Sequence, residues 1–358
     1  MSGIVAADVA ALLDRTAPLW RGLADARLFV TGGTGFFGVW LLEAIVAANR
    51  RFELDCRVTV LSRDPGRFAA QAPALAADPA IALVAGDVLD FPFPAGPLTH
   101  VIHAATQASA ALNADAPQAM FDVCVEGTRR VLALAAERSA ARMLLTSSGA
   151  VYGRQPPGLA HVAEDFAGGP DPLDPRSAYG EGKRAAEMLC CLAARAGLPV
   201  TVARGFAFVG PHLPLDTHFA IGNFIRDAVA GGPLLIGGDG TPYRSYLYAS
   251  DLVEWLVRIL LDGRAGRAYN VGSEEAVSIR ELAERVARVA GTLRPDRPAP
   301  EVRVARVPTP GAAADRYVPD CTRARMELGL VPTTSLDESI RRTMLHAMHR
   351  DATDDATG

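Results

Sequence analysis

Short apolar runs alternate with longer amphipathic stretches along residues 27–204 of the chain. Apolar runs of strand length are typical of buried β-strands, whereas apolar positions recurring three or four residues apart are typical of helices. The runs predict strands at Arg27–Thr31, Arg57–Leu61, Ile81–Ala85, Val101–Ala104, Met143–Ser147 and Val200–Ala203. The stretches between them predict helices that include Val39–Ala48, Ala116–Glu137 and Arg176–Ala196.

Strands that alternate with helices form right-handed βαβ units, which place the strands in one parallel sheet with helices on both faces. The sequence therefore predicts an α/β fold whose main domain, residues 27–204, is a doubly wound parallel sheet. Residues 1–26 are predicted to form a helical extension, with a helix at Asp8–Leu13.

The regular alternation ends near residue 205, where a loop rich in Gly, Pro and His begins. Residues 205–350 mix helical and irregular β patterns, which predicts a smaller mixed α/β lobe with some segments returning to the main domain. The predicted elements of this lobe are helices at Ile221–Val229, Ser278–Ala290 and Leu336–His346, irregular β structure at 233–248 and a strand at Val302–Val307. Residues 351–358 are predicted to be a frayed tail.

Composition narrows the function classes. The chain has 358 residues, of which 49% are hydrophobic and 21% charged, a balance typical of a globular protein with a substantial core. Its formal net charge of −4 gives no electrostatic basis for binding nucleic acid. The sequence shows neither a signal peptide nor an apolar run of about 18 residues, so no membrane segment is predicted. The five cysteines lack metal-ligand spacing, which predicts no metal site and a reducing, cytoplasmic compartment.

The loop between the first predicted strand and the next helix is rich in glycine. Its glycines follow a Gly-x-x-Gly-x-x-Gly pattern over residues 32–38. Such a loop turns tightly, lets the backbone approach a pyrophosphate and directs a helix N-terminus at the anion. We therefore expect a dinucleotide site in a Rossmann-type domain. The loop residues predicted to bind the cofactor are Gly32, Thr34, Gly35, Phe36, Phe37 and Gly38.

The end of the second predicted strand bears on the choice between NAD and NADP. An acid at this position binds the ribose hydroxyls of NAD, but Ser62 stands there and Arg63 follows it. A small hydroxyl beside a guanidinium suits the 2′-phosphate of NADP, so NADP is the favoured cofactor. Asp64, one or two positions late for the acid, leaves NAD open.

Two further strand ends complete the predicted cofactor site. Asp87 and Val88 follow the third strand and are expected at the adenine. Ala104, Ala105 and Thr106 follow the fourth strand and are expected beside the nicotinamide. In doubly wound sheets such residues gather at the carboxyl ends of the strands, where ligands bind.

Lys183 is the single lysine among the 36 Lys and Arg residues of the chain. It follows Tyr179 by four positions, so on a helix the two side chains share one face. A nearby ammonium favours the phenolate of a tyrosine and brings its pKa closer to that of a base at neutral pH. We therefore predict a catalytic pair of Tyr179 and Lys183, in which the lysine lowers the pKa of the phenol.

Five motifs stand in a characteristic order: TGGTGFFG at 31–38, GDV at 86–88, HAA at 103–105, SSGAVYG at 147–153 and YGEGK at 179–183. Together they resemble the extended short-chain dehydrogenase/reductases, the nucleotide-sugar epimerase/dehydratase group, over about residues 27–345. The resemblance implies that Tyr179 transfers the proton at a sugar oxygen. It also implies that Lys183 holds the nicotinamide ribose and that Ser148 hydrogen-bonds the substrate oxygen.

Two positions after Ser148 depart from parts of that family. The 4,6-dehydratases carry an Asp-Glu pair there and the decarboxylases a Glu at the second position, whereas this chain has Gly149 and Ala150. Neither residue can move a proton, so a 4-ketoreductase or epimerase of a nucleotide-linked (deoxy)hexose is the favoured function. A dehydratase or decarboxylase, or a non-catalytic dinucleotide-binding regulator, are the alternatives.

The resemblance also implies a substrate site and an assembly. Arg244 matches the arginine that grips the substrate diphosphate, and a planar guanidinium can bind two phosphate oxygens at once. Asn223 and Arg316 are further candidates for contacts with the nucleotide-diphosphate sugar. The long helices at about 116–137 and 176–196 are expected to form a four-helix bundle in a homodimer.

Overall fold

The computed structural model describes residues 3–105, 110–217 and 219–355. Its α-helices are α1 (Gly3–Arg15), α2 (Ala17–Trp20), α3 (Phe36–Phe52), α4 (Pro65–Gln71), α5 (Pro73–Ala76), α6 (Ala110–Asp115), α7 (Pro117–Glu137), α8 (Ala178–Arg195), α9 (Ala220–Ala230), α10 (Ala249–Asp262), α11 (Ile279–Leu293), α12 (Thr322–Leu328) and α13 (Leu336–Asp355). Its strands are β1 (Arg27–Thr31), β2 (Arg57–Ser62), β3 (Ile81–Ala85), β4 (His100–His103), β5 (Arg142–Ser148), β6 (Val200–Gly205), β7 (Phe208–Val209), β8 (Leu234–Ile236), β9 (Tyr243–Arg244), β10 (Leu247–Tyr248), β11 (Ala268–Val271), β12 (Val277–Ser278), β13 (Val302–Val304) and β14 (Arg316–Tyr317).

The main sheet has seven parallel strands in the order β11-β6-β5-β4-β1-β2-β3. Alternate residues of β1 enter two different cores: Leu28 and Val30 pack in the core with α3 and α10, and Phe29 packs in the core with α7 and α8. Helices therefore cover both faces, as expected for parallel strands buried on both sides. This confirms the predicted Rossmann-type doubly wound α/β fold.

The order of the strands creates the crevice in which a ligand can bind. The chain runs from the central strand β1 outward to β3 and then returns to β4 on the other side of β1. Thr31 at the end of β1 pairs with Leu61 of β2 and with His103 of β4. The connections leaving β1 and β4 diverge at this point, and such switch points are where doubly wound folds bind ligands.

Strand β11 and helix α10 were not among the predicted elements. Helix α10 packs against α3, and β11 pairs with β6 as the seventh strand, so both belong to the main sheet layer although they follow residue 205. The run Ala-Tyr-Asn-Val of β11 is short and contains the polar Asn270, which is fully buried. Its partners are far away in sequence, so local patterning carries little signal for it.

Many of the remaining C-terminal residues form a second core, whereas Ala324 of α12 and its neighbours pack in the first. Helices α9, α11 and α13 pack together, with Ile221, Val286 and Ile340 fully buried between them. Helix α11 begins with a capping box in which Ser278 and Glu281 satisfy each other's backbone N–H groups. Three small sheets, β12-β9-β14, β13-β8 and β10-β7, complete this part of the structure.

Both ends of the chain form helices longer than those predicted. Helix α1 spans Gly3–Arg15 and packs on α3 and α10, which ties the N-terminal extension to the main domain. Helix α13 continues past His346 to Asp355, so residues 351–355 of the expected frayed tail are helical. No proline or glycine interrupts this run, and nothing in it forces an earlier end.

The described residues contain neither a membrane-spanning helix nor a cluster of metal-ligating side chains. Among these residues no helix is both long and apolar enough to cross a membrane. The same part of the chain contains no group of three or more His, Cys, Asp or Glu side chains arranged to hold a metal ion.

Candidate active site and dinucleotide cleft

The glycine-rich loop leaves no room for side chains at two of its positions. Gly32 has φ +72°, and a Cβ atom added there would lie 2.3 Å from the carbonyl oxygen of Ala104. A Cβ added to Gly38 would lie 2.2 Å from the carbonyl carbon of Gly33. Helix α3 begins directly after Gly35, and no side chain caps it. Its first N–H groups therefore remain available to an anion, as a pyrophosphate site requires.

A cleft of 470 Å³ lies in front of this loop at the carboxyl ends of the strands. Most of the predicted cofactor residues line it: Gly32, Thr34, Gly35, Ser62, Arg63, Asp87, Val88, Ala104 and Ala105. Phe36 and Phe37 do not line this cleft but pack on the core, with Phe37 edge-on to Phe208 at 4.9 Å. Their rings point away because α3 must bury an apolar face against the sheet. Thr106 lies outside the described residues.

The structure gives Asp64 a local role at the second strand end. Its carboxylate accepts the backbone N–H of Arg67 at 2.9 Å and caps helix α4. The Ser62 hydroxyl accepts the backbone N–H of Asp64 at 3.2 Å. Arg63 and Arg67 both line the cleft, so two guanidinium groups stand at this end. Sequence reasoning missed Arg67, although its spacing of four residues from Arg63 is a usable signal.

A buried histidine fixes the backbone beside the cleft. His103 contacts the hydroxyl of Thr31 through Nδ1 (2.7 Å) and that of Thr128 through Nε2 (3.1 Å). The Thr31 hydroxyl also accepts the backbone N–H groups of Ala104 and Ala105, each at 3.2 Å. Burial, with a contribution from the charge of Lys183, lowers the pKa of His103 to about 3, so its ring is neutral. The sequence predicted that Ala104 and Ala105 follow the fourth strand, but it did not predict the hydrogen bonds that fix their backbone.

The three predicted catalytic residues lie together. Ser148 ends β5, and Tyr179 and Lys183 lie on one face of α8. The Lys183 ammonium donates to the carbonyl oxygen of Thr146 at 2.8 Å and lies 5.9 Å from the centre of the Tyr179 ring. The Ser148 side chain also acts on the Tyr179 hydroxyl, where it lowers the pKa of the phenol. Strand β5 and helix α8 thus assemble the group that the motif spacing predicted.

The predicted electrostatic effect on Tyr179 is not met in this arrangement. Loss of solvent around its hydroxyl raises the pKa of Tyr179 above the ordinary value, and the hydrogen bond to Ser148 opposes this only in part. Burial likewise lowers the pKa of Lys183. The phenol is therefore neutral here, because desolvation of its hydroxyl outweighs the effect of Ser148.

Tyr317, which sequence reasoning missed, completes the surroundings of Ser148. Its hydroxyl lies 3.2 Å from the Ser148 hydroxyl and 3.4 Å from the carbonyl oxygen of Gly205, so two acceptors are within reach of its one hydrogen. Its ring packs on Phe206 with 4.7 Å between centres. A Cβ at Gly149 would lie 2.7 Å from Phe206 and 2.8 Å from the Tyr317 hydroxyl. The place where the dehydratases carry an acid is thus closed by two aromatic side chains.

A buried ionic network supports the catalytic strand from behind. Glu187 on α8 accepts from the Ser147 hydroxyl and pairs with Arg204 on β6, each at 2.6 Å. Arg204 also donates to the Tyr152 hydroxyl at 2.8 Å, which in turn donates to Asn270 at 2.7 Å. These bonds connect β5, β6, β11 and α8, so they fix the position of the strand that ends in Ser148.

The candidate substrate arginines lie on the small sheet next to Tyr317. Strand β14 pairs with β9 so that Tyr317 is opposite Arg244 and Arg316 is opposite Tyr243. Arg244 forms an ion pair with Asp315 at 3.0 Å, and the Arg316 guanidinium lies over the Tyr243 ring at 4.2 Å. The structure therefore brings two predicted diphosphate contacts to one sheet.

Asn223, the third candidate for the substrate, belongs to a different element. It lies on α9 and accepts a hydrogen bond from Arg226 at 3.4 Å. Its place in the substrate site stays a prediction.

A glycine-rich turn at the switch point of a doubly wound sheet, in a chain that also assembles a Ser, Tyr and Lys group, defines a dinucleotide-dependent enzyme of the short-chain dehydrogenase/reductase type. Residues 28–272 match the model of the NAD dependent epimerase/dehydratase family. The chain belongs to this family, which confirms the resemblance seen in its motifs.

Three similar proteins illustrate the range of the family. UDP-glucuronic acid decarboxylase 1 of Arabidopsis thaliana is 31% identical over 331 residues, covering 91% of this chain and 70% of the relative. RMD of Pseudomonas aeruginosa, solved with NADPH, is 26% identical with a TM-score of 0.68 and coverage of 91% and 99%. The dTDP-glucose 4,6-dehydratase DesIV of Streptomyces venezuelae, solved with NAD, is 24% identical with a TM-score of 0.73 and coverage of 91% and 98%. The last comparison shows the fold alone.

Proposed function

We propose that this enzyme transfers hydride at a carbon of the sugar in a nucleotide-diphosphate sugar, with 4-ketoreduction or epimerisation of a (deoxy)hexose as the net reaction. The observation that carries this choice is the composition of the site around Ser148. Tyr179 and Lys183 are in place, but Gly149 and Ala150 add no group that could move a second proton. Reduction and epimerisation need only one proton-transfer group beside the hydride step.

The cleft fits a nicotinamide dinucleotide. The loop at Gly32 and Gly38 excludes even a methyl group, the N–H groups at the start of α3 are uncapped, and Asp87, the residue proposed for the adenine, lines the cleft. When bound, the nicotinamide supplies or accepts the hydride. NADP is the favoured form because Arg63 and Arg67 both line the cleft and can bind a 2′-phosphate, while the Asp64 carboxylate accepts the backbone N–H of Arg67.

The chain's own residues would manage the sugar oxygen. Ser148 hydrogen-bonds this oxygen and orients it towards Tyr179. The Tyr179 hydroxyl gives its proton to the oxygen in reduction and takes a proton from it in the reverse direction. Lys183, held by Thr146, places its positive charge beside the phenol and stabilises the charge that develops during the transfer.

Decarboxylation of a nucleotide-linked uronic acid is the second candidate. The relatives named UDP-glucuronic acid decarboxylase favour it, since they match most of this chain at about 31% identity. That reaction also begins with hydride transfer at the sugar, so it uses the same three residues. Arg244, opposite Tyr317 on the small sheet, is the residue we propose to bind the substrate carboxylate.

One set of assays separates the candidates. The purified enzyme is incubated with NADPH and dTDP-4-keto-6-deoxyhexoses, with UDP-hexoses, and with UDP-glucuronic acid and NAD. Steady loss of the reduced-nicotinamide absorbance supports reduction, and interconversion of UDP-hexoses without net cofactor use supports epimerisation. Release of carbon dioxide from UDP-glucuronic acid would overturn our choice in favour of the second candidate. Dinucleotide binding without any turnover would assign the chain to the regulators.

The assembly proposed from the sequence is a homodimer through α7 and α8. These two helices pack closely on each other, and α8 exposes the apolar side chains of Met188 (60%) and Leu192 (56%). Exposed apolar side chains on a helix pair are suited to a second copy of the same surface. Sedimentation of the Met188→Glu, Leu192→Glu variant should show a monomer where the wild type shows a dimer.

A further inference from the structure

Ser148 has more neighbours than its predicted role requires. Its oxygen accepts the backbone N–H of Ala150 at 3.1 Å, and its hydroxyl also meets both Tyr179 and Tyr317. A serine hydroxyl has one hydrogen to donate. Whether that hydrogen points to Tyr179 or to Tyr317 therefore depends on which partner donates to Ser148.

The surroundings of Tyr317 favour donation towards Ser148. Its own hydrogen has two acceptors in reach, and the Ser148 oxygen at 3.2 Å is nearer than the Gly205 carbonyl at 3.4 Å. The ring cannot turn away easily, because it is packed on Phe206 and fills the space beside Gly149.

We propose that Tyr317 is a positioning residue of the active site: it donates a hydrogen bond to Ser148 and thereby directs the Ser148 hydrogen away from Tyr317, towards the Tyr179 side of the site, where the sugar oxygen would bind. This role rests on the proposed function only in its last step, the contact with the sugar. A substrate oxygen that must receive a proton needs a donor already aimed at it, and preorganised donors stabilise the transition state.

The arrangement also explains why the C-terminal residues matter to chemistry at β5. Tyr317 is 169 positions beyond Ser148 and reaches it only because β14 is held against β9. The same strand pair carries Arg244 and Arg316, the candidate diphosphate contacts. Substrate bound at these arginines would therefore lie on the same small sheet as Tyr317, the residue that orients the Ser148 hydroxyl.

The first test needs no substrate. Tyrosines carrying carbon-13 at the ring ζ position are observed by NMR in the cofactor-free protein, and Tyr317→Phe and Tyr179→Phe assign the two signals. Ser148→Ala should shift the Tyr317 signal, while the matched control Ser147→Ala should leave it in place because that hydroxyl bonds Glu187. Tyr317→Phe should in turn shift the Tyr179 signal. A Tyr317 signal that is the same in wild type and Ser148→Ala would overturn the proposal.

The second test measures turnover. Tyr317→Phe keeps the ring on Phe206 and removes only the hydroxyl, so kcat should fall roughly tenfold, the effect of about one hydrogen bond, with KM within about twofold. In a Ser148→Ala background the same change should cost less than about twofold, because Tyr317 acts through Ser148. An equal loss in both backgrounds, or an unchanged kcat, would contradict the positioning role. Wild type without activity on any nucleotide sugar would refute the proposed function, and the NMR result would still decide the hydrogen bond.

Discussion

Replacing Lys183 by arginine tests the site at its most constrained point. The lysine is 3% exposed, its ammonium donates to the Thr146 carbonyl oxygen at 2.8 Å, and Tyr179 lies on the same helix face. Lys183→Arg conserves the charge. A planar guanidinium with five donors is wider than an ammonium, however, and cannot reproduce the short bond that the lysine makes from the end of a thin stem.

The size of the effect follows from that bond. A hydrogen bond from a charged donor contributes about 1.5–3 kcal/mol. Since about 1.4 kcal/mol corresponds to a factor of ten in rate, loss of the bond in the transition state should lower kcat roughly 10- to 150-fold. The larger side chain in a packed site should also lower the stability of the fold by about 1–3 kcal/mol.

The assay follows reduced-nicotinamide absorbance with the substrate that the wild type turns over, together with thermal unfolding of each variant. Arg195→Lys is the matched control, since it makes the reverse exchange at an exposed position in the last turn of the same helix and should leave kcat unchanged. A Lys183→Arg enzyme with at least half the wild-type kcat would refute the reasoning. It would show that any cation on this face of α8 suffices.

Three further predictions concern the cofactor cleft and the stability of the fold. Gly38→Ala should weaken dinucleotide binding and lower Tm, because its Cβ would lie 2.2 Å from backbone, whereas Gly66→Ala, with its nearest contact at 3.5 Å, should change neither value. The paired change of Arg63 and Arg67 to alanine should weaken NADP binding about tenfold and NAD binding by less than about twofold, measured by titration calorimetry; equal losses would argue against a 2′-phosphate site. Glu43→Gln should raise Tm at neutral pH, because burial raises the pKa of Glu43 and its ionisation therefore destabilises the fold. That gain should disappear as the pH falls towards the unfolded value of about 4.3, and a gain independent of pH would contradict the assignment.

Local sequence patterns were sufficient to predict the strands in the first half of the molecule. Each of the six predicted strands is present within about two residues of its predicted bounds, because a buried parallel strand is a continuous apolar run that needs no distant information. The glycine loop and the spacing of Tyr179 and Lys183 were equally local, since one turn and one helix place these groups. The same local patterns were the basis for predicting the family, the fold and the group of Ser148, Tyr179 and Lys183.

Several side-chain roles were decided only by the tertiary structure. Asp64, which left NAD open in the sequence, lines the cleft and also caps α4, and the phenol of Tyr179 is neutral because its hydroxyl is desolvated in the assembled site. Phe37 follows the loop glycines in sequence, yet its ring packs on Phe208. In each case a competing local or buried contact determined the outcome, and sequence spacing does not reveal such competition.

The sequence alone determined the order of strands and helices, the dinucleotide turn and the Ser148, Tyr179 and Lys183 group, because residues close in the chain set each of these. Only the tertiary structure decided what surrounds Ser148. Tyr317 arrives there from a two-residue strand, and the space at Gly149 is closed by aromatic rings from two other segments. Contacts between residues so far apart depend on how β14 packs on β9 and on the main sheet, which no local pattern encodes.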